Sequence, residues 1–259
     1  MSEQTKTVEI RELDKIEDFR RCIELQREAF NLPDLEISPL RHFIVSKNAG
    51  GFTLGAFVDN RLIGFVHHLI ALQNSQIIGY SHMTAIARDF QNAGIGAQLK
   101  WAQRDWALAR GQRFIKWTFD PLQSRNAHFN LNRLGAVIRT YAVNYYGANY
   151  ITMPGDFGEQ TNLDSDRLFA EWELDSERVA TFADGKETIA GNHPVQAIEI
   201  PADWKILAET DMARARGEQL RVRAEFQAAF AADLVCAGFE RGAEISHYLF
   251  YQNIVTPEK

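Results

Sequence analysis

Residues 91–96, Gln-Asn-Ala-Gly-Ile-Gly, are the part of this chain whose chemistry can be inferred most directly. They join an apolar segment with strand character to a segment with helical periodicity. A glycine-containing turn that opens a helix presents backbone N–H groups at the positive end of the helix dipole. Glycine also lets a ligand approach without a clash against Cβ. The stretch therefore predicts a phosphate site built from main-chain donors.

The segments around this turn predict an α/β fold with a mostly antiparallel sheet. Asp59-Asn60 tolerates positive φ and predicts a hairpin turn between two of the strands. The predicted elements, in order, are a strand over 8–13, helices from Ile16 and over 39–46, strands over 52–58, 61–71 and 76–86, a helix over 94–110, a strand over 113–119, a helix over 124–134 and a strand over 136–146.

The chain changes character after residue 150. We predict a first domain over 1–150 and a C-terminal α+β extension over 151–259, which contains a strand near 168–174, a long helix over 209–232 and a hairpin over 234–251. The extension is interpreted as an appended segment, with two alternatives: a degenerate copy of the first half, or a protein-interaction module.

Composition limits the classes of partner. The chain has 259 residues, 46% hydrophobic, with a formal net charge of −6, which argues against a broad nucleic-acid surface. Cys22 and Cys236 are expected to be reduced and buried, and no cysteine–histidine pair has zinc spacing, so we expect no metal. No apolar run approaches the about 20 residues of a membrane helix. The polar segment Met1 to Thr7 shows no signal region, so we expect a cytoplasmic protein.

Other phosphate-binding turns fit less well. A dinucleotide-binding fingerprint needs a third glycine where this chain has Leu99, and it follows a βαβ unit rather than a meander. A Walker loop needs Gly-Lys-Ser/Thr, which does not follow here.

Residues 8–146 resemble the GNAT superfamily of acyl-CoA-dependent N-acyltransferases. The signature of that family is Arg/Gln-x-x-Gly-x-Gly/Ala between a strand and a helix, and residues 91–96 match every fixed position. Residues 86–90 are similar to its apolar-x-Pro-x-aromatic lead-in, with Arg88 in place of proline. The resemblance implies a GNAT-like mixed sheet flanked by helices, and acetyl-CoA or another acyl-CoA as cosubstrate.

The resemblance also implies which residues hold the coenzyme. In the family, the strand before the signature carries a bulge and its backbone lies beside the pantetheine arm and the thioester. The polar residues that open the helix at 124 are expected to contact the coenzyme, unless they cap that helix. Lys100 is expected either near a phosphate or on the surface. The implied coenzyme-binding residues are Thr84, Ala85, Ile86, Gln91, Asn92, Ala93, Gly94, Ile95, Gly96, Ser124 and Asn126.

For the proton transfers, His82 is the predicted base, because it lies on the strand that enters the signature and shares a face with Thr84 by alternation. The family often has a carboxylate base there, but residues 76–87 contain none. His67 and His68 are adjacent, so one is expected on each face of its strand, and either is a candidate for substrate contact. The usual acid, a tyrosine, is replaced by Leu131. Tyr141, Tyr145 and Tyr146 follow, and Tyr141 is the predicted substitute.

These residues predict transfer of an acyl group to a primary amine of a small molecule such as an amino acid. Acetyl is the expected group, with succinyl as an alternative. The alternative from another class is a non-catalytic acyl-CoA-binding or sensing protein. We expect no nucleic-acid partner and no membrane, and the oligomeric state stays open, with a homodimer as one alternative.

Overall fold

The computed structural model describes residues 7–30, 34–147, 163–186 and 193–252. The chain divides into two compact units, Met1–Ile115 and Lys116–Lys259. The division falls inside a strand, β5 (Phe114–Phe119, with the labels numbered in chain order). The predicted domain boundary at 150–166 lies mostly outside the described residues and stays a prediction.

The first unit is a strand meander with helices. Its strands β1 to β4 pair in that order, and each neighbouring pair is antiparallel. The turn between β2 and β3 has positive φ at Asp59 (48°) and Asn60 (64°), as predicted. The elements are β1 (Glu9–Glu12), α1 (Ile16–Phe30), α2 (Leu40–Asn48), β2 (Phe52–Val58), β3 (Arg61–Gln73), β4 (Gln76–Ile86) and α3 (Ile95–Ala109).

Consecutive residues of β3 show how the helices cover the two faces of this sheet. Phe65 packs edge-on against Phe43 of α2, with ring centroids 5.9 Å apart. Its neighbour Gly64 lies under α3, where an added Cβ would be 3.2 Å from Leu99. Because side chains alternate along a strand, α2 and α3 lie on opposite faces. Phe19 of α1 stacks on Phe43, which places α1 beside α2.

The second unit also contains an antiparallel sheet, in the order β7-β6-β9-β10-β8. The predicted strand near 168–174 and the C-terminal hairpin are confirmed. Neither β8 nor α5 is among the elements predicted from the sequence. The elements after β5 are α4 (Ser124–His128), β6 (Val137–Ala142), β7 (Arg167–Glu173), α5 (Glu177–Ala183), β8 (Gln196–Pro201), α6 (Trp204–Thr210), α7 (Met212–Ala231), β9 (Val235–Glu240) and β10 (Ile245–Tyr251).

Two predicted helices of this unit are wrong in detail. The helix predicted over 124–134 is α4 followed by a π-helical turn, Phe129–Arg133. The helix predicted over 209–232 corresponds to α7, and its first two residues are the end of α6, from which Asp211 separates it. Asp211 leaves the helical conformation (φ −148°), and its carboxylate accepts the N–H of Arg214 at 3.0 Å. An aspartate that caps a helix in this way competes with helix continuation. No described helix is both long and apolar enough to cross a membrane.

Candidate active site

The glycine turn opens α3 as the sequence predicts. Gly94 is the N-cap residue in the left-handed region (φ 79°, ψ −2°), and Asn92 has φ 65°. The N–H groups of Ala97 and Gln98 donate to Gly94 O at 3.1 Å, which are the first bonds of the helix. Because a helix supplies no internal acceptors for its first amides, those of Ile95 and Gly96 remain available to a ligand. A Cβ added to Gly94 or Gly96 would meet nothing within 4 Å, so the turn faces open space.

The segment before the turn is tied to α1 by the residue that departs from the family pattern. The N–H of Arg88 donates to Glu28 Oε1 at 2.9 Å, and its guanidinium Nε donates to Glu28 O at 2.8 Å. Proline at this position has no N–H to donate. The side-chain Nε2 of Gln91 donates to Ile86 O at 3.2 Å, which fixes the turn to the end of β4. The arginine therefore replaces a rigid ring by a two-point attachment to α1.

The strand before the turn contains a bulge, as the family resemblance implies. His67 of β3 pairs with Met83, whereas the next residue, His68, pairs with Ser81. His82 is therefore the extra residue of β4, with no residue opposite it on β3. Met83 and Ala85 pack against the core cluster that contains Phe43.

The bulge also changes which side chains share a face of β4. Because Met83 and Ala85 point to the α2 side, alternation turns Thr84 to the other side. His82 points to the α2 side, where it contacts Ser38. The prediction that His82 and Thr84 share a face is therefore wrong, since the extra residue interrupts the alternation. The backbone of Thr84, Ala85 and Ile86 continues the strand that leads to the glycine turn.

His82 belongs to a group of three imidazoles on the α2 side, which we call the histidine cluster: His42, His67 and His82. The ring of His42 lies 5.1 Å from each of the other two, and those two are 6.4 Å apart, between centroids. His82 is exposed, and its Nε2 lies 3.2 Å from Ser38 Oγ. His67 is fully buried. The cluster thus runs from solvent into the core.

The rings of the cluster differ in their hydrogen bonds. His67 uses both nitrogens, with Nε2 2.9 Å from Ser46 Oγ and Nδ1 2.8 Å from Thr53 Oγ1. His42 Nε2 is buried and has no hydrogen-bond partner. Such an atom costs about 1–3 kcal/mol of stability in a folded protein.

The electrostatics of the cluster favour neutral rings. Desolvation and the neighbouring histidines lower the pKa of His67 to about 3, and desolvation with His42 lowers the pKa of His82 to about 4. Desolvation also lowers the pKa of His42. Solvent reaches His82 directly, which limits the desolvation of that ring. At neutral pH the three rings are therefore unprotonated, and His82 is the member of the cluster whose side chain is exposed.

A second polar network lies on the α3 side of the sheet. His68 Nε2 is 2.7 Å from Gln112 Oε1, and its Nδ1 is 3.2 Å from Gln103 Nε2. Lys100 Nζ donates to Gln103 Oε1 at 2.7 Å and to Ser81 Oγ at 3.1 Å. Lys100 is only 3% exposed, and burial lowers its pKa well below the usual value. Its position on α3 faces the sheet, so the expectation of a surface lysine is wrong. Its Nζ is engaged with Gln103 and Ser81, which does not favour a phosphate contact.

The remaining predicted residues belong to the second compact unit. Ser124 is buried, and its hydroxyl lies 3.1 Å from Ser246 Oγ; the N-cap of α4 is Gln123, which makes no side-chain cap bond, so Ser124 does not cap that helix. Asn126 is exposed. The Tyr141 hydroxyl donates to Asp166 Oδ2 at 2.6 Å. Desolvation and this bond raise the pKa of Tyr141, so its placement does not favour the predicted acid role. The roles of Ser124 and Asn126 stay predictions.

Sequence reasoning missed Ser38 and His42. Ser38-Pro39 is an ordinary helix-start signal, and His42 lies on an amphipathic helix. No local pattern indicates that Ser38 meets a strand residue 44 positions later in the chain. Among the described residues, no group of three or more His, Cys, Asp or Glu side chains is arranged to hold a metal ion.

Comparison with known proteins agrees with this architecture. Residues 13–135 match the model of the acetyltransferase (GNAT) family. The ribosomal-protein-S18-alanine N-acetyltransferase of Escherichia coli superposes with a TM-score of 0.52 at 14% identity, over 66% of this chain and 96% of that one. An N-acetyltransferase from Staphylococcus aureus Mu50 gives a TM-score of 0.50 at 14% identity, over 65% and 99%. At these identities the superpositions show a shared fold. No curated protein matches the chain.

Proposed function

Because residues 13–135 carry a domain of the acetyltransferase (GNAT) family, we propose that this protein transfers an acyl group from acyl-CoA to an amine. The observation that carries the proposal is the combination, in one unit, of the open glycine turn at α3 and the bulged strand that leads into it. The donor in this proposal is acetyl-CoA, with succinyl-CoA as the alternative. The acceptor is the primary amine of a small molecule such as an amino acid.

The coenzyme is held mainly by backbone in this proposal. The stretch 91–96 binds the diphosphate through the amides that follow Gln91, because the N–H of Gln91 itself donates to Arg88 O at 3.3 Å. Glycines at 94 and 96 leave room for the ligand. The backbone of Thr84, Ala85 and Ile86 lies along the pantetheine arm, and an amide there polarises the thioester carbonyl. Ser124 and Asn126 remain proposed coenzyme contacts on the strength of the resemblance alone.

Acyl transfer also requires proton movements, and His82 is the proposed base. It is exposed, it is neutral at physiological pH, and it occupies the bulge next to the proposed thioester position. His82 takes a proton from the attacking amine and passes it to the leaving thiolate, so that one residue serves both steps. Because His82 also protonates the thiolate, this route needs no tyrosine acid. That agrees with the hydroxyl of Tyr141 being bonded to Asp166.

The alternative function is a non-catalytic acyl-CoA sensor. It is supported by the lack of a carboxylate on β4, by Leu131 at the position of the family tyrosine, and by the engagement of Tyr141 with Asp166. Release of free thiol from acetyl-CoA and succinyl-CoA, measured with a panel of amino acids, amines and peptides, distinguishes the two. Coenzyme binding without thiol release on any amine would favour the sensor.

A pair of glycine variants tests the coenzyme turn. Gly94 and Gly111 flank the two ends of α3, have φ of 79° and 76°, and have open space around them. Gly94→Glu and Gly111→Glu therefore introduce similar backbone strain and the same charge. A like charge about 4 Å from a phosphate costs on the order of 4 kcal/mol at intermediate dielectric. We expect Gly94→Glu to weaken CoA binding roughly 100-fold or more in calorimetry, since about 1.4 kcal/mol is a factor of ten.

Gly111→Glu is the matched control and should bind CoA as the unmodified protein does. Equal affinities in the two variants, with both folded by circular dichroism, would show that the diphosphate does not bind at the start of α3. The proposal would then lose its main support.

A further inference from the structure

The ring of the proposed base makes one hydrogen-bonding contact. Ser38 Oγ lies 3.2 Å from His82 Nε2, and Nδ1 of the same ring has no hydrogen-bond partner among the described residues. The imidazoles of His42 and His67 border the ring at 5.1 and 6.4 Å between centroids. A histidine that acts as a base is commonly oriented by a third group on its second nitrogen. In the described part of the chain, Ser38 is the group placed for that task.

The two tautomers of His82 differ in what they leave for chemistry. With the proton on Nδ1, Nε2 accepts from the Ser38 hydroxyl, and the ring has no lone pair left for a substrate. With the proton on Nε2, the ring donates to Ser38 Oγ, and the lone pair of Nδ1 stays open. Resting on the proposed function, we propose that Ser38 is a positioning residue of the acyl transfer: its hydroxyl oxygen accepts the Nε2–H of His82 and so keeps Nδ1 as the nitrogen that takes the proton from the amine.

The inner serine–histidine pair of the histidine cluster has this same arrangement. Ser46 Oγ lies 2.9 Å from His67 Nε2 and donates its own proton to Phe43 O at 3.1 Å. Because that proton is already used, Ser46 Oγ accepts from Nε2–H. Nδ1 of His67 then accepts from Thr53 Oγ1, which lies 2.8 Å away. A serine thus selects the Nε2–H tautomer in the inner pair, whereas the corresponding Nδ1 of His82 is open to a substrate.

Ser38 is held in place by a buried side chain of α1. Its N–H donates to Gln26 Oε1 at 2.9 Å, and Gln26 Nε2 donates to Ser38 O at 3.3 Å. Gln26 is fully buried and also donates to Cys22 O at 3.4 Å. The next residue is Pro39, and a residue before proline is restricted to extended backbone. The backbone of Ser38 is therefore fixed from both sides, so its hydroxyl is in position before any substrate arrives.

An acceptor on Nε2 also helps His82 while the ring carries the transferred proton. When Nδ1 takes the proton of the amine, both ring nitrogens become donors. Desolvation and the nearby His42 lower the pKa of His82 and so oppose this positive charge. The hydrogen bond to Ser38 Oγ stays in place during the change and partly offsets that cost. The same Nδ1 can then return the proton to the leaving thiolate.

Nitrogen-15 NMR of the full chain, with labelled histidine, reads the tautomer directly. The chain has 7 histidines, and the signals that disappear in His82→Gln identify His82. At neutral pH we expect Nδ1 of His82 to be unprotonated and Nε2 to carry the proton. Ser38→Ala should give a mixture of the two tautomers at this ring. A proton on Nδ1 of His82 in the unmodified protein would overturn the inference.

Steady-state kinetics with acetyl-CoA tests whether this contact serves the reaction. Ser38→Ala should lower kcat about tenfold, which is the scale of one lost hydrogen bond, and leave KM for acetyl-CoA unchanged. Ser38→Thr keeps a hydroxyl on the same carbon and should restore both kcat and the tautomer. An effect on KM alone, or a threonine variant as slow as the alanine variant, would contradict a positioning role.

Ser46→Ala is the matched control, because it removes the corresponding contact from His67. Ser46 is only 9% exposed, so this variant should lower the unfolding midpoint, but kcat and the signals of His82 should stay as in the unmodified protein. An equal loss of kcat in Ser46→Ala and Ser38→Ala would show a general loss of packing in the histidine cluster and would overturn the inference.

The outcomes separate this inference from the proposed function. If the unmodified protein releases thiol with an amine, while Ser38→Ala retains both kcat and the tautomer of His82, the positioning role is excluded and acyl transfer stands. If no amine is acylated, the two proposals fail together.

Discussion

The two faces of β3 use neighbouring histidines in different ways. On the α3 side, His68 has a partner on each nitrogen, and the network continues through Gln103 to Lys100 and Ser81. On the α2 side, His67 is equally buried and equally bonded, but its network continues into His42 and ends at solvent. The first network is closed within the protein, and the second reaches the surface.

The contrast separates a structural role from a chemical one. A buried polar network whose members bond one another stabilises a particular packing, as the α3-side network does. The α2 side tolerates an unbonded buried nitrogen on His42 and a bulge at His82. Unsatisfied groups and bulges of this kind are concentrated at functional sites, where stability is given up for reactivity. This contrast supports the proposal that the proton transfers take place on the α2 side.

The largest expected effects come from replacing one histidine on each face, His82 on the α2 side and His68 on the α3 side. We expect His82→Gln to lower kcat/KM by about 100-fold or more, because a general base contributes about 10²–10⁴ in rate. Its unfolding midpoint should change little, since His82 is exposed.

His68→Leu should lower the stability of the protein and leave its catalytic rate nearly unchanged. It leaves Gln103 and Gln112 without their histidine partner, and each buried unpaired group costs about 1–3 kcal/mol. The rate per folded molecule should stay close to that of the unmodified protein. A loss of rate in His68→Leu equal to that in His82→Gln would remove the distinction between the two faces.

Acid should destabilise the protein through both buried histidines. Burial lowers the pKa of His67 to about 3 and of His68 to about 4, from the usual 6.5. Below pH 6.5 the unfolded chain binds protons that the folded chain excludes, so stability is full above that pH and falls as the pH drops toward 4. Each of these two residues adds up to about 1.4 kcal/mol per pH unit to the slope of the free energy of unfolding against pH.

Urea unfolding between about pH 7 and about pH 5 measures this slope. His67→Gln and His68→Gln should each reduce it by the contribution of one residue. An unchanged slope in His68→Gln would show that this ring binds its proton equally in the folded and the unfolded chain, so that burial does not lower its pKa.

Gly79→Ala should disturb the α3-side network, together with Ile115 beside it, and leave the histidine cluster in place. A Cβ on Gly79 would overlap His68 Cε1 and lie 2.8 Å from its Nε2, so the ring must move from its partners. Overpacking of this kind costs about 1–3 kcal/mol, which chemical denaturation measures, while the rate should be retained. Gly217→Ala in α7 is the control, because nothing lies within 4 Å of Gly217, and it should gain about 0.5–1 kcal/mol. Equal stabilities for the two variants would contradict the packing described for His68.

Local sequence patterns predict much of the secondary structure of the first unit. The limits of β2 and β4 and the first residue of α1 match the predicted ones. The positive φ at Asp59 and Gly94 follows from turn chemistry that the residue types reveal. The glycine turn was found for the same reason, since its function depends on backbone that a few consecutive residues determine. The break at Asp211 was missed because an aspartate within a helical pattern can either continue the helix or cap it.

The sequence by itself determined the order of elements in the first unit, the glycine turn and the adjacency of His67 and His68 on opposite faces, because each depends on residues close in the chain. The tertiary structure decided that His82 occupies a bulge, that Lys100 is buried, and that Ser38 and His42 meet His82. A bulge depends on the register between two strands, and these contacts depend on how α1 and α2 pack on the sheet. Neither register nor packing is encoded in any single segment, so the arrangement of reactive side chains becomes visible only in the folded chain.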